Sequence, residues 1–286
     1  MRSRAGWTSA GTPTASIPEP FMARELLTQC IAAYPLIEGS TMSARTLTCT
    51  VETMETLSAD VYRLFLRGDP QQILFAPGQY LMLIVQGNHL PFSIANAPNG
   101  DGILELHVQY IAESDNARAL FRQLHVGADI EVSLAGGESV LELDDPRPLL
   151  LIAAGTGFAQ MKSIIEASLA LHPERPIHLW WAARARSELY MEWQARQWAE
   201  QNEHFSFTPV VELPGEDDFD GVVERIDNAL HDRVHRADEA SIFIAGSPGM
   251  VYAVVDTLAR IEPMAKRIFS DVFSYAPRLK GQDDGS

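Results

Sequence analysis

The feature that most limits the fold of this chain is a change of pattern at Asp144-Asp145-Pro146. Before it, short runs rich in Val, Thr and aromatic residues are separated by Gly, Pro and Asn turns, which is typical of a closed antiparallel barrel. After it, apolar runs of strand length alternate with segments of helix length. That alternation predicts a parallel sheet with helices on both faces, so the chain is predicted to contain two different β architectures in series.

The pattern also predicts the individual elements. The first part is predicted to form strands over 47–55, 61–67, 79–86, 91–96, 103–110 and 129–134, with a helix over 116–124. The second part is predicted to form strands over 149–153, 177–182, 205–212, 241–245 and 267–269, and helices over 158–171, 187–201, 222–231 and 249–261. We therefore divide the chain into a poorly ordered extension (1–45), a barrel domain (46–145), an α/β domain (146–275) and a polar tail (276–286).

Charge and cysteine content exclude several classes of protein. The chain has 22 Lys and Arg residues against 38 Asp and Glu residues, a formal net charge of −16, so no nucleic-acid partner is expected. Cys30 and Cys49 are too few for a four-thiolate iron–sulfur cluster, and the histidines show no metal-ligand spacing, so no metal site is predicted. No apolar run is long enough for a membrane span, and we expect a cytoplasmic protein.

Two strand–glycine–helix units stand out in the second part. In the first, a buried run leads into Gly155-Thr156-Gly157 and then into a predicted helix. In the second, the strand 241–245 leads into Gly246-Ser247-Pro248-Gly249-Met250. Glycines permit a tight turn and close approach of a ligand, and the unpaired N–H groups of a helix start favour phosphate. Two such loops at one sheet edge indicate a dinucleotide site, while the alternative for each loop alone is an ordinary tight turn.

The barrel zone contains one informative strand, Leu90-Pro91-Phe92-Ser93-Ile94. Strand alternation places Phe92 on one side and Ser93 on the other. A serine hydroxyl both donates and accepts hydrogen bonds, which suits a ring nitrogen that changes from acceptor to donor on reduction. The alternative is a strand with one solvent-facing serine.

Taken in this order, the motifs resemble those of the ferredoxin–NADP⁺ reductase superfamily, and most closely its bacterial NAD(P)H–flavin reductases, including the luciferase-associated type. The resemblance covers roughly residues 46–275. It is carried by the Pro-Phe-Ser strand, by both glycine loops and by three further stretches: Ala76-Pro77-Gly78-Gln79-Tyr80-Leu81, Leu104-Glu105-Leu106-His107-Val108 and Ser270-Asp271-Val272-Phe273-Ser274-Tyr275. The family fold is a Greek-key, flavin-binding barrel followed by an NAD(P)H-binding α/β domain.

The resemblance implies a role for each stretch. Ser93 is the implied catalytic residue, placed at flavin N5. The implied flavin-binding set is Pro91, Phe92, Ser93, Leu106, His107 and Val108, the last three through the backbone, with Phe273 and Tyr275 covering the stacked rings. The implied NAD(P)H-binding set is Gly155, Thr156, Gly157, Phe158, Arg184, Gly246, Ser247, Pro248 and Met250.

Departures from the family pattern bear on which flavin is bound. Many relatives place a phosphate-gripping arginine where this chain has Leu90, although the luciferase-associated group also carries leucine there. In the first glycine loop, Ala154 and Ala159 replace a frequent glycine and a frequent serine. An apolar Leu90 predicts an exchangeable flavin, whether FMN, riboflavin or FAD, rather than tightly held FAD.

The function implied is direct hydride transfer from NADH or NADPH to flavin, giving free reduced flavin, with a flavin-dependent monooxygenase as an expected recipient. The first alternative is an FAD-containing electron-transfer component that serves an oxygenase or a heme protein. The second is a non-catalytic nucleotide-binding protein on the same fold, because fold alone does not fix function.

Overall fold

The computed structural model describes residues 45–213, 215 and 218–278. The predicted extension therefore lies outside the described residues, apart from Arg45, as does most of the polar tail. Two six-stranded sheets follow one another along the chain. The first is antiparallel and the second is parallel throughout, so the predicted fold class is confirmed.

The first sheet is the barrel, with strand order β4-β3-β6-β1-β2-β5. A bridge between Ile94 and Leu106 brings the end of β4 to β5 and closes the sheet. Side chains that alternate along the strands fill the interior, including Leu64, Leu83 and Val132, all fully buried. The strands are β1 (Arg45–Thr56), β2 (Val61–Arg67), β3 (Tyr80–Val85), β4 (Asn88–Ser93), β5 (Ile103–Gln109) and β6 (Asp129–Gly136), with helix α1 (Asp115–Gln123) between β5 and β6.

The second sheet has the order β10-β9-β8-β7-β11-β12. Its central strand, Leu149–Ala154, alternates between two cores: Leu151 packs on one face and Ile152 on the other. Both faces are covered, which explains the continuous apolar runs. The strands are β7 (Leu149–Ala154), β8 (Ile177–Ala185), β9 (Phe205–Leu213), β10 (Val222–Val223), β11 (Ser241–Ala245) and β12 (Ile268–Phe269). The helices are α2 (Phe158–Leu171), α3 (Glu192–Gln201), α4 (Ile226–His231), α5 (Pro248–Ile261) and α6 (Val272–Tyr275).

Several predicted boundaries differ from the structure. The helix predicted over 222–231 is wrong at its start, because the β-branched pair Val222-Val223 adds a parallel edge strand to β9. The helix predicted from Ser187 begins at Glu192, after a short 3-10 turn over Arg186–Glu188. In the barrel, β4 runs from Asn88 to Ser93 rather than over 91–96. In the parallel sheet, β8 extends to Ala185 rather than ending at residue 182.

Candidate active site

The two glycine loops lie side by side at the carboxyl edge of the parallel sheet, because β7 and β11 are neighbours in register. Gly157 is pressed against the other loop: a Cβ there would stand 2.3 Å from the carbonyl oxygen of Ala245. Gly155 differs, since its φ is +53° and no atom lies within 4 Å of the position of its Cβ. Gly157 thus closes the two loops together, whereas Gly155 borders open space that a ligand phosphate fits.

The second loop is shaped by its own helix start. The Ser247 side chain caps α5 by accepting a hydrogen bond from the N–H of Met250, and Pro248 occupies the first turn. Met250 folds back so that its Cε lies 2.3 Å from where a Gly246 Cβ would be. These four residues therefore form a compact rim beside the first loop.

Ser93 closes β4 and pairs across the ladder with Tyr80 of β3. Its hydroxyl is half-buried and makes no hydrogen bond to any of the described residues. Phe92 lies half-buried against the barrel core on the same side as Leu90, while Pro91 is exposed. The predicted alternation of Phe92 and Ser93 agrees with this arrangement, and the Ser93 hydroxyl is available to a ligand.

Strand β5 brings the barrel to the nucleotide side. It contacts the turn formed by Gly155–Gly157. The side chains of Leu106 and Val108 fill the barrel core, so any contact of theirs with a flavin must use the backbone. The His107 side chain points the other way, and its Nδ1 lies 3.0 Å from the Tyr190 hydroxyl of the α/β region.

The carboxyl-terminal segment is tied to the barrel by Asp271. Its carboxylate accepts hydrogen bonds from the N–H groups of Glu138 and Ser139, which follow β6, and from the Gln160 side chain of α2. Burial raises the pKa of Asp271, although these hydrogen bonds oppose the shift. Asp271 thereby anchors the segment that carries the next two aromatic residues, Phe273 and Tyr275.

The aromatic residues of that segment differ in exposure. Phe273 packs against Tyr252 of α5, with ring centroids 6.0 Å apart. Tyr275 is 64% exposed. An exposed ring next to an anchored helix is free to cover a ligand, as the resemblance implies for this position.

Three other predicted nucleotide-site residues lie in different settings. Thr156 is half-buried inside the glycine turn. Phe158 does not reach the crevice, because its ring is fully buried and stacks on Trp181 at 3.9 Å. Arg184 lies within the last residues of β8, is exposed, and has no side-chain partner among the described residues. Arg184 is thus a cation available at the edge of the sheet.

Sequence reasoning missed the buried charges between the two regions. Glu105 sits in an apolar strand and Lys162 in an apolar helix, and that mismatch was the signal available. Burial opposes ionisation of Glu105, but the charges of Lys162 and Arg63 and the hydrogen bond with His107 outweigh it and lower the pKa of that carboxyl. Burial likewise opposes the charge on Lys162, yet Glu166 and Glu105 raise its pKa. Desolvation lowers the pKa of His107, which keeps its imidazole neutral.

Two further searches covered the described residues. Within 45–213, 215 and 218–278, no group of His, Cys, Asp and Glu side chains has the arrangement of a metal site. Over the same part of the chain, no helix combines the length and apolar character needed to cross a bilayer.

A closed barrel beside the glycine loops of a parallel sheet describes the architecture, and the domains that the chain matches show its class: an oxidoreductase with a FAD-binding and an NAD-binding domain. Residues 48–139 match the oxidoreductase FAD-binding domain and residues 151–256 match the oxidoreductase NAD-binding domain. The NAD(P)H-flavin reductase of Vibrio harveyi is 31% identical over 240 residues, covering 80% of this chain and 99% of that protein.

One further relative and one solved structure with a similar fold resemble this chain. The reductase component 1 of terephthalate 1,2-dioxygenase from Comamonas sp is 29% identical, and the match covers 71% of this chain and 60% of that one. The crystal structure of a ferredoxin NADP⁺ reductase from Neisseria gonorrhoeae superposes with a TM-score of 0.68 at 20% identity, over 79% of this chain and 98% of that one. The chain belongs to the ferredoxin–NADP⁺ reductase family, within which its sequence is similar to the NAD(P)H–flavin reductases.

Proposed function

We propose that this protein is an NAD(P)H:flavin oxidoreductase that releases reduced flavin. The observation that carries the proposal is the contact between the Gly155–Gly157 turn and β5, since it sets a nucleotide cradle directly against the barrel. Two features of that junction suit the ligands. The open space at Gly155 accommodates a phosphate, and the half-buried Ser93 hydroxyl offers an unused donor and acceptor.

On the nucleotide side, the backbone N–H groups of Gly155, Thr156 and Gly157 hold the phosphates at the edge of the sheet. The loop Gly246-Ser247-Pro248 and Met250 lie against that turn and line the nicotinamide. Arg184, whose side chain has no partner among the described residues, faces the adenosine half. NADH and NADPH are both candidate donors.

On the flavin side, Ser93 holds the N5 position through its hydroxyl, and Phe92 and Pro91 flank the ring. The backbone of Leu106, His107 and Val108 borders the ring edge, and Phe273 and Tyr275 cover the stacked rings. NAD(P)H supplies the hydride and the flavin ring accepts it at N5. The contribution of the chain is alignment, which in general lowers a barrier by roughly 7–11 kcal/mol when reacting atoms are held close.

The flavin is read mainly through its ring, so riboflavin, FMN and FAD exchange at this site. Leu90 offers no charge to a phosphate. The next helix start along the chain, that of α1, is already occupied: Ser114 caps it, Asp115 lies in its first turn, and the Arg118 guanidinium pairs with Asp115. Reduced flavin then passes to a flavin-dependent monooxygenase or to oxygen, and we place this activity in the cytoplasm.

The test is a spectrum followed by an assay. The purified protein is expected to be nearly colourless and to oxidise NADH or NADPH when riboflavin, FMN or FAD is added. Michaelis constants for riboflavin and FMN are expected to be similar. A protein that shows no oxidation with any flavin contradicts the proposal and leaves either an electron-transfer component with a protein acceptor or a non-catalytic nucleotide-binding role.

The same experiment tests a second candidate, an electron-transfer component with tightly bound FAD. The similarity to the terephthalate dioxygenase reductase component supports it. That candidate predicts a yellow protein whose colour survives gel filtration, and reduction of a protein acceptor in place of free flavin.

A further inference from the structure

A cluster of buried charges joins the barrel to α2. The Lys162 ammonium lies 2.8 Å from Oε2 of Glu105 on β5, and only 3% of either side chain is exposed. The same ammonium lies 2.6 Å from Oε1 of Glu166 and 3.4 Å from the carbonyl oxygen of Ala95. One cation thus binds two segments of the barrel and its own helix.

A second set of contacts in the cluster also joins the barrel to the α/β region. Oε1 of Glu105 accepts a hydrogen bond from Arg63 Nε at 2.9 Å and lies 3.0 Å from His107 Nε2. The other nitrogen of that imidazole, Nδ1, lies 3.0 Å from the Tyr190 hydroxyl. Two cations, Lys162 and Arg63, therefore face two carboxylates, those of Glu105 and Glu166, around a neutral imidazole.

A stack of rings continues from the cluster to the glycine turn. The His107 ring is stacked with that of Phe158 at 6.2 Å, and Phe158 stacks on Trp181 at 3.9 Å. The Trp181 indole then donates a hydrogen bond to the carbonyl oxygen of Gly155 at 3.0 Å. Phe158 is the first residue of α2 and lies one helical turn before Lys162. The charged cluster and the stacked rings therefore both help to hold the Gly155–Gly157 turn in place.

An ionic junction of this kind defines a position more than it adds stability. Removing charges from water costs several kcal/mol per ion, and attraction repays this only when every partner is in place. A sliding apolar contact would tolerate many relative positions of the two regions. The charges of the buried cluster all have partners in only one relative position of the two regions, because those partners are fixed on different elements.

We propose that Lys162 and Glu105 are positioning residues that set the glycine turn against β5 and thereby fix the distance between nicotinamide and flavin. This inference rests on the proposed function. It assigns to the buried cluster a role in the hydride-transfer step, separate from binding of either ligand.

The experiment compares Lys162→Met with Arg67→Met. The first removes the buried ammonium but keeps an unbranched chain. The second removes a cation from an exposed ion pair with Glu52 in the same barrel, and serves as the control. Hydride transfer is measured in single turnovers, whose dependence on NADH concentration gives the NADH affinity, and steady-state turnover is measured with NADH and with NADH deuterated at C4. Flavin affinity is measured by fluorescence quenching, and amide hydrogen exchange of residues 155–162 is measured in the ligand-free protein.

For Lys162→Met we expect hydride transfer to slow by roughly ten- to a hundredfold, with flavin and NADH affinities close to wild type. The deuterium isotope effect on steady-state turnover should rise, and exchange at 155–162 should accelerate. Arg67→Met should match wild type in all four measurements. Wild-type hydride transfer in a folded Lys162→Met protein overturns the inference, as does a slowing matched by an equal loss of affinity.

A second variant covers the case in which Lys162→Met does not fold. Tyr190→Phe removes only the hydroxyl next to His107, and a smaller slowing with the same rise in isotope effect is expected. Unchanged transfer and unchanged exchange in Tyr190→Phe would then overturn the inference. Absence of activity in wild type with every flavin instead contradicts the proposed function. The exchange measurement tests the junction independently of that result.

Discussion

The barrel edge and the glycine-loop edge of this protein, where the ligands are proposed to lie, present different chemical groups. The barrel presents side chains, with Ser93 and the exposed Pro91 held on a strand that is paired within the sheet. The parallel sheet presents backbone, with Gly155 and Gly246 in turns that carry few side-chain atoms. A strand fixes the direction of a hydroxyl, whereas a glycine turn at a helix start offers N–H groups and room.

This difference separates chemistry from binding. Changes on the barrel edge should alter turnover, because the Ser93 hydroxyl is proposed to face the reacting ring. Changes in the glycine loops should alter nucleotide affinity or the fold, because these loops offer backbone N–H groups and the open space that a glycine leaves. Four substitutions test this division.

The largest effect is expected for Gly157→Ala. Its new Cβ would stand 2.3 Å from the carbonyl oxygen of Ala245, so the two loops must separate. We expect a loss of about 1–3 kcal/mol in the free energy of unfolding, measured by urea titration. Gly249→Ala is the matched control, since no atom lies within 4 Å of the Cβ position there. Equal stability of both proteins would show that the loops yield freely.

Next in size is Ser93→Ala. A hydroxyl hydrogen bond contributes about 0.5–1.5 kcal/mol net, so turnover at saturating flavin should fall several-fold to tenfold. The free energy of unfolding should stay near wild type, because the hydroxyl has no hydrogen-bond partner among the described residues. Unchanged turnover would remove Ser93 from the reaction and blur the contrast between the two edges.

A smaller effect is expected for Gly249→Ala on nucleotide binding. The added methyl group enters open space at the start of α5, where the nicotinamide half is proposed to lie. The Michaelis constant for NAD(P)H should rise several-fold while that for flavin stays constant. A parallel rise in both constants would place this loop outside the nucleotide site.

The smallest effect concerns pH and His107. Burial holds the pKa of His107 below its ordinary value of 6.5, so the unfolded chain takes up a proton that the folded protein does not. The contribution of the neutral His107 to the free energy of unfolding is therefore fully present above pH 6.5 and is lost as the pH is lowered through that value. Urea midpoints should decline between about pH 7 and about pH 5 in wild type, and less steeply in His107→Gln. Parallel profiles would contradict a neutral buried imidazole.

Much of the parallel sheet could be predicted because its strands are buried on both faces. Runs such as Leu149–Ala154 and Ser241–Ala245 are continuously apolar, and each glycine loop follows its strand directly. The edge strand Val222–Val223 could not be predicted, since its pairing with β9 is decided by a neighbour distant in sequence. The local pattern there fitted a helix equally well.

The site shows the same division. Ser93 and the glycine turns could be named because strand alternation and glycine conformation are local properties. Phe158 was assigned to the nucleotide, but its ring is buried against Trp181, a contact set by the packing of α2 on β8. Asp271 was quoted only as part of a motif, and its anchoring contacts with Glu138 and Ser139 appear only in the folded chain.

The sequence by itself determined the two architectures, their order and the positions of the Pro-Phe-Ser strand and the two glycine loops, because periodicity and turn chemistry act over a few neighbouring residues. Only the tertiary structure decided how the edges meet. Lys162 and Glu105 are 57 positions apart in the chain, and nothing local marks them as partners. Their pairing exists because the packing of α2 against β5 buries both charges, and buried charges are stable only when each finds the other.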